Sequence, residues 1–128
     1  MTVLLDTHAF LWFIAGDPKL GPRIRAVIED PGNRVLLSIV SLWEIVVKVA
    51  IGKLPLSKTI AEVYRDDVQG NDIELLEITV GHLVTLAGLP LVHRDPFDRL
   101  LVAQASAEGV QLVSADPALD AYGISRIW

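Results

Sequence analysis

Near the start of the chain, Val3-Leu4-Leu5 runs straight into Asp6-Thr7. An uninterrupted apolar run this short reads as a strand buried on both faces, the kind found at the centre of a parallel sheet. An acid at the carboxyl end of such a strand sits where open α/β sheets bind their ligands. The rest of the chain can be read as bringing three more acids to the place where Asp6 points.

Helical and strand patterns alternate after that point. A helix runs from His8 to Ala15 and ends at Gly16-Asp17-Pro18, and a second covers Leu20 to Glu29. Asp30-Pro31-Gly32-Asn33 is a turn, and Val35-Leu36-Leu37-Ser38 is a second buried strand. Ser41-Leu42-Trp43-Glu44 has the spacing of a capping box opening a helix to about Ile51, with Glu44 and Lys48 as an i, i+4 pair. Ser57 is the expected cap of a helix reaching Val68. Ile73 to Ile78, interrupted by Glu74 and Glu77, reads as an edge strand, and Val80 to Ala87 as a short helix. Asp95 as N-cap with Pro96 at the first helical position starts a helix that ends at Gly109. Val110 to Val113 is a fourth strand, Pro117 to Tyr122 a turn of helix, and Ser125 to Trp128 a short last strand. The alternation implies right-handed crossovers and a parallel sheet.

The 128 residues are enough for one domain, residues 1–128, with its own core. They are 52% hydrophobic with a mean hydropathy of +0.45. That leaves membrane insertion or an apolar surface covered by a partner. The best membrane candidate, Val35 to Ile51, holds Glu44 and Lys48 near its middle, each costing roughly 2.5–3.5 kcal/mol at a bilayer centre. A partner surface is therefore expected, and no membrane span. There is no cysteine, hence no disulfide framework and no thiolate metal site. No charged-then-apolar leader precedes Leu4, so the cytoplasm is the expected compartment. The net charge of −5 argues against a broad basic surface for gripping a duplex. It leaves room for a small nucleic-acid site in which a bound cation reverses the local sign.

Each acid has an ordinary structural role to offer. Asp6 and Asp116 could cap helices, Glu44 could serve only Ser41 or Lys48, and Asp98 suits the positive end of a helix dipole. Their joint placement carries more. Asp6 and Asp116 each end an apolar strand, and Glu44 and Asp98 are expected in the first turns of helices, so all four project into one crevice at one edge of a parallel sheet. Carboxylates crowded there repel unless some stay protonated or a divalent cation joins them, and all-oxygen ligation suits Mg²⁺ or Mn²⁺. Thr7 and Ser114 flank the strand-end acids and could hold waters or carboxylates, with capping an equal alternative. Arg94 and Arg99 lie beside the crevice and could contact a phosphate. His8, His82 and His93 lack metal-ligand spacing, which leaves them ordinary surface or core roles, and Trp12, Trp43 and Trp128 read as core or interface residues.

These motifs resemble those of the PIN-domain ribonucleases, specifically the VapC-type toxins of toxin–antitoxin pairs. The resemblance covers essentially the whole chain. It is carried by Leu4-Leu5-Asp6-Thr7-His8, by Ser41-Leu42-Trp43-Glu44-Ile45 with Lys48 and Gly52-Lys53-Leu54, by His93 through Ala105, and by Leu112-Val113-Ser114-Ala115-Asp116. The third of these is the most specific. The family's acidic quartet falls on Asp6, Glu44, Asp98 and Asp116, and its Ser/Thr before the last acid on Ser114. The resemblance implies a three-layer α/β/α sandwich around a five-stranded parallel sheet in the order 3-2-1-4-5. It further implies Mg²⁺- or Mn²⁺-dependent cleavage of RNA, homodimers and inhibition by a cognate antitoxin.

Two rivals are a phosphotransfer domain with a strand-end Asp nucleophile and a non-catalytic partner-binding module. The first wants an Asp two residues after Asp6, where His8 stands, or a Lys at a later strand end, which Ser114-Ala115-Asp116 lacks. The intact quartet argues against the second.

Overall fold

The computed structural model describes residues 1–128. In chain order the elements are β1 (Thr2–Leu5), α1 (Thr7–Ala15), α2 (Pro22–Glu29), β2 (Arg34–Ser38), α3 (Ile39–Ala50), α4 (Ile60–Glu62), β3 (Glu74–Leu76), α5 (Val80–Ala87), α6 (Pro96–Glu108), β4 (Gln111–Val113) and β5 (Arg126–Ile127). The strands form one parallel sheet in the order β3-β2-β1-β4-β5. This is the expected PIN-like order, and β1 is its centre.

The side chains of β1 alternate between two cores, as the period of a strand requires. Val3 and Leu5 face a cluster with Phe10 of α1, Ile24 and Ile28 of α2, and Leu42 and Ile45 of α3. Leu4 faces the opposite cluster, with Leu36 of β2 and Leu101, Val102 and Ala105 of α6. All three β1 residues are fully buried, and each such burial contributes about 1.5–3 kcal/mol. Leu5 pairs with Leu37 on one side and with Val113 on the other. Asp6, Ser38 and Ser114 therefore sit level along the carboxyl edge of the sheet.

Several boundaries differ from the sequence reading. The helix α3 starts at the strand end itself, with Ser38 as its N-cap accepting the Val40 N–H at 3.0 Å. Ser41 thus lies inside the helix and makes no capping box, and Glu44 lies in the second turn, not the first. The chain passes from β2 into α3 with no loop, so the first available hydroxyl, not the one with the matching Glu, takes the cap. Ser57 does not cap either. Thr59 does, because Glu62 stands three residues on and returns the bond to the Thr59 N–H, whereas Ile60 stands three after Ser57. The helix α4 then widens into a π-helical turn, Val63–Val68, and a 3₁₀ turn, Gln69–Asn71. Residues five apart on an α-helix diverge by about 140°; the wider turn lets Val63 and Val68 both reach the core. The helix α2 begins at Pro22 and not at Leu20, and β3 contracts to three residues at the sheet edge. The start of α6 is as read, with Asp95 accepting from Phe97 and Asp98 N–H groups at 2.8 and 3.2 Å. No helix is long and apolar enough to cross a membrane.

Candidate active site

The strand order reverses between β1 and β4, which opens a crevice over their carboxyl ends. Asp6 follows β1 and caps α1 through Oδ1, which accepts the Ala9 N–H at 2.8 Å. It is 7% exposed. Burial pushes its pKa up, and the hydrogen bonds from Ser114 and Ala9 only partly oppose this. Asp116 lies three residues past β4 and caps the 3₁₀ turn Pro117–Tyr122 through Oδ1, 3.0 Å from Ala118 N. For both acids the capping role and the crevice role coexist. Ser114 ties them together: its buried hydroxyl accepts the Asp116 N–H at 3.1 Å.

Asp98 enters from the first turn of α6. Its pKa is pushed up to about 7, first by burial and then by the charges of Asp95, Glu44 and Asp6, with His93 opposing. Asp95 thus does two things: it starts the helix that aims Asp98, and it adds to the local negative field.

Glu44 comes up from α3 and is 2% exposed. Its Oε1 accepts the Thr7 hydroxyl at 2.6 Å, and its Oε2 accepts the Lys48 ammonium. Thr7 Oγ1 also lies 3.0 Å from Ser41 Oγ. Burial opposes the Lys48 charge, but the Glu44 hydrogen bond and the charges of Glu44, Asp95 and Asp98 together outweigh it and hold the lysine pKa above its ordinary value. The i, i+4 pair read from the sequence is formed, and it sits in the site itself.

His93 does not have the ordinary role expected of it. Its Nε2 lies 3.8 Å from Asp98 and 3.4 Å from Asp116, and single ligand atoms of the three residues fall within 4.8 Å of one another. Its Nδ1 accepts the Asp95 N–H at 3.1 Å. In the neutral ring, Nε2 therefore carries the proton and donates toward the carboxylates, and has no lone pair for a metal ion. The only sequence signal for this is position, two residues before a helix-capping Asp. His82 does take a core role, buried and bonded to the Thr79 N–H.

The two arginines part company. Arg99 donates to Pro90 O at 2.8 Å and to the Tyr122 hydroxyl at 3.1 Å. Arg94, next in the chain to His93, is exposed and makes none of these bonds. The structure thus gathers Asp6, Glu44, Asp98 and Asp116 around one crevice, with ligand atoms of Asp98 and Asp116 within 4.8 Å of each other. Burial first, and then the neighbouring acids, push the Asp98 carboxyl up, and a cation bound there would relieve the crowding of negative charge. A hard divalent cation with oxygen ligands fits this donor set.

A family model for the PIN domain matches residues 3–124. The chain belongs to the PIN-domain family. No curated protein shows a significant sequence match to it. Among solved structures, VapBC2 from Rickettsia felis, bound to a DNA fragment from its promoter, is similar with a TM-score of 0.73 and 16% identity, covering 99% of this chain and 98% of that one. FitAcB from Neisseria gonorrhoeae is similar with a TM-score of 0.69 and 16% identity over 98% and 96% of the two chains. A toxin–antitoxin complex from Klebsiella pneumoniae follows with a TM-score of 0.65 and 14% identity over 98% and 96%. The fold of this PIN domain is that of proteins found in toxin–antitoxin complexes.

Proposed function

We propose that this PIN domain is a divalent-metal-dependent endoribonuclease and the toxin of a toxin–antitoxin pair. The observation that carries the reading is the convergence of four acids at the β1/β4 crevice, with Asp98 pushed up to about 7 by burial and by the charges of Asp95, Glu44 and Asp6. Asp6, Asp98 and Asp116 would hold Mg²⁺ or Mn²⁺. Such an ion supplies a water of lowered pKa and neutralises charge on the phosphate. Glu44, clamped by Thr7 and Lys48, orients the attacking water in line with the scissile bond. Ser114 keeps Asp6 and Asp116 in register. Arg94, exposed and next in the chain to His93, would meet a neighbouring phosphate of the RNA. Hydrolysis in this manner leaves 5′-phosphate and 3′-hydroxyl ends.

The similarity to a toxin–antitoxin complex from Klebsiella pneumoniae supports an antitoxin partner. A groove of about 590 Å³ lined by Leu11, Trp12, Ile14, Leu54, Pro55 and Leu56 suits an apolar antitoxin segment. Exposed Val80, Leu83 and Val84 on α5 supply a face for homodimerisation. Function would be cytoplasmic, with RNA as substrate.

Cleavage of a mixed RNA pool in Mg²⁺ or Mn²⁺ against EDTA tests the catalytic reading. Metal-dependent cuts with 5′-phosphate ends are expected, and their absence would leave a partner-binding module. Co-purification of the product of an adjacent small reading frame tests the pairing.

A further inference from the structure

Glu44 is nearly inaccessible, and yet each of its oxygens is already engaged by a neighbour. Thr7 comes from the start of α1 and Lys48 from one turn further along α3. The single proton of the Thr7 hydroxyl goes to the carboxylate, at the shorter of its two contacts, which leaves the Ser41 hydroxyl to donate to Thr7. The result is a chain from Ser41 through Thr7 and Glu44 to Lys48. Each Glu44 oxygen keeps one lone pair, enough for a water. A divalent ion bound directly to Oε2 would stand beside the Lys48 ammonium, and two cations in a poorly solvated pocket repel strongly. Asp98 and Asp116 carry no such bound lysine; what faces them is His93.

We propose that Lys48 is a positioning residue for Glu44: with Thr7 it holds the carboxylate by both oxygens, so that Glu44 acts through a water and leaves direct ligation of the ion to Asp6, Asp98 and Asp116. Lys48 neither contacts the scissile phosphate nor competes with the ion. Its role is to keep a buried carboxylate in one rotamer with its charge balanced. This rests on the reading of the crevice as a metal-dependent RNA-cleaving site.

The test compares Lys48→Met, Lys48→Arg and Glu44→Gln with the wild type. Cleavage kinetics are measured over a range of RNA concentrations in Mn²⁺, and Mn²⁺ affinity is measured separately by calorimetry. Loss of a partner that orients a site group costs on the order of 10–100-fold in activity. Lys48→Met should lower kcat in that range and leave KM for RNA within about threefold, which marks an interaction used after binding. Lys48→Arg, which restores a hydrogen-bonded cation, should recover most of the loss. Mn²⁺ affinity should fall by no more than about 100-fold in Glu44→Gln and in Lys48→Met, the cost of losing an outer-shell partner. A raised KM with unchanged kcat in Lys48→Met would instead make Lys48 a phosphate contact, and unchanged kinetics would make it structural only; either overturns the proposal. So does a fall in Mn²⁺ affinity well beyond about 100-fold in Glu44→Gln, which would make Glu44 a direct ligand, or a gain of about tenfold or more in Lys48→Met, which would make Lys48 a competitor of the ion. If Lys48→Met does not fold, Glu44→Gln, a near-isosteric neutral replacement, still decides the ligand question. A wild type that binds Mn²⁺ but cuts no RNA defeats the proposed function alone, because the Mn²⁺ titrations still decide between direct and water-mediated roles. A wild type that binds no Mn²⁺ overturns both.

Discussion

Thr7 Oγ1 sits 2.6 Å from Glu44 Oε1, joining the first residue of α1 to the second turn of α3 across a buried gap. The bond ties the strand-end acid Asp6, one residue before Thr7, to the acid delivered by a different βα unit. It converts two local features of the sequence into one rigid corner of the crevice.

Removing that hydroxyl leaves a buried carboxylate oxygen without its donor. Thr7→Val should destabilise the metal-free protein by about 2–3 kcal/mol, the range for hydrogen bonds to charged groups. Thr7→Ser keeps the donor and should lose only about 1 kcal/mol, the cost of a buried methyl group. Urea unfolding of the two variants in EDTA measures the difference. A loss in Thr7→Val no larger than that in Thr7→Ser would mean that the hydroxyl contributes no more than the methyl.

Asp116→Asn separates the two roles that Asp116 holds at once. Asn caps as well as Asp, so the bond to Ala118 N–H survives. Loss of one negative charge beside Asp98 relieves repulsion, so metal-free stability at neutral pH should hold or rise. The stabilisation by Mg²⁺ or Mn²⁺, about 2.7 kcal/mol at a hundredfold excess over the dissociation constant, should shrink, and RNA cleavage should fall with it. Thermal unfolding in EDTA and in metal, beside a cleavage assay, reads all three. An undiminished metal response with cleavage retained would remove Asp116 from the ligand set.

Asp98 makes the metal-free fold sensitive to pH in an unusual direction. Its ordinary pKa is 3.8, and the folded protein holds it at about 7. Between those values the unfolded chain ionises this group first, so the folded state binds more protons and its stability falls as pH rises through the window. Asp98→Asn has no such penalty. In EDTA it should match the wild type more closely near pH 4 and exceed it by roughly 2–4 kcal/mol at pH 7.5. Unfolding curves at three pH values across the window test this. A gap that does not widen with pH would show that Asp98 ionises normally.

The apolar face of α5 has a simple test. Val84 is 68% exposed, so Val84→Lys should change stability by no more than about 0.5 kcal/mol. Sedimentation should show a dimer for the wild type at tens of micromolar, roughly the range where weak interfaces hold, and a monomer for the variant. A wild-type monomer would free this face for another partner.

Local sequence determined a good deal of this protein. Val3-Leu4-Leu5 can be stable only as a strand covered on both faces, and that alone calls for layers of helices on a parallel sheet. Asp95-Pro96 starts a helix here because the missing proline N–H and the capping carboxylate suit a helix end and an apolar helical run follows, whereas the same dipeptide before Gly32-Asn33 makes a turn. With α6 begun there, Asp98 necessarily lies in its first turn. Asp6, Asp98 and Asp116 were legible because strand ends and helix starts in such a sheet share one edge; Glu44 was read there from a helix start at Ser41 that the structure moves to Ser38.

What tertiary structure alone decided is which of several equal local options is used. Ser38 and Ser41 are both competent caps, and Ser57 and Thr59 likewise. The choice of Thr59 was local, since Glu62 three residues on returns its bond. The choice fell to Ser38 because the chain turns directly off β2. That shift of start buried Ser41 against Thr7 and moved Glu44 into the second turn, beside Lys48. The place of His93 over Asp98 and Asp116 is of the same kind. A loop histidine has no periodicity to read, and its neighbours come from distant parts of the chain. Periodicity and capping rules act over a few residues, whereas the charge around Asp98 is set by Asp6, Glu44, Asp95 and His93, which only the folded sheet brings together.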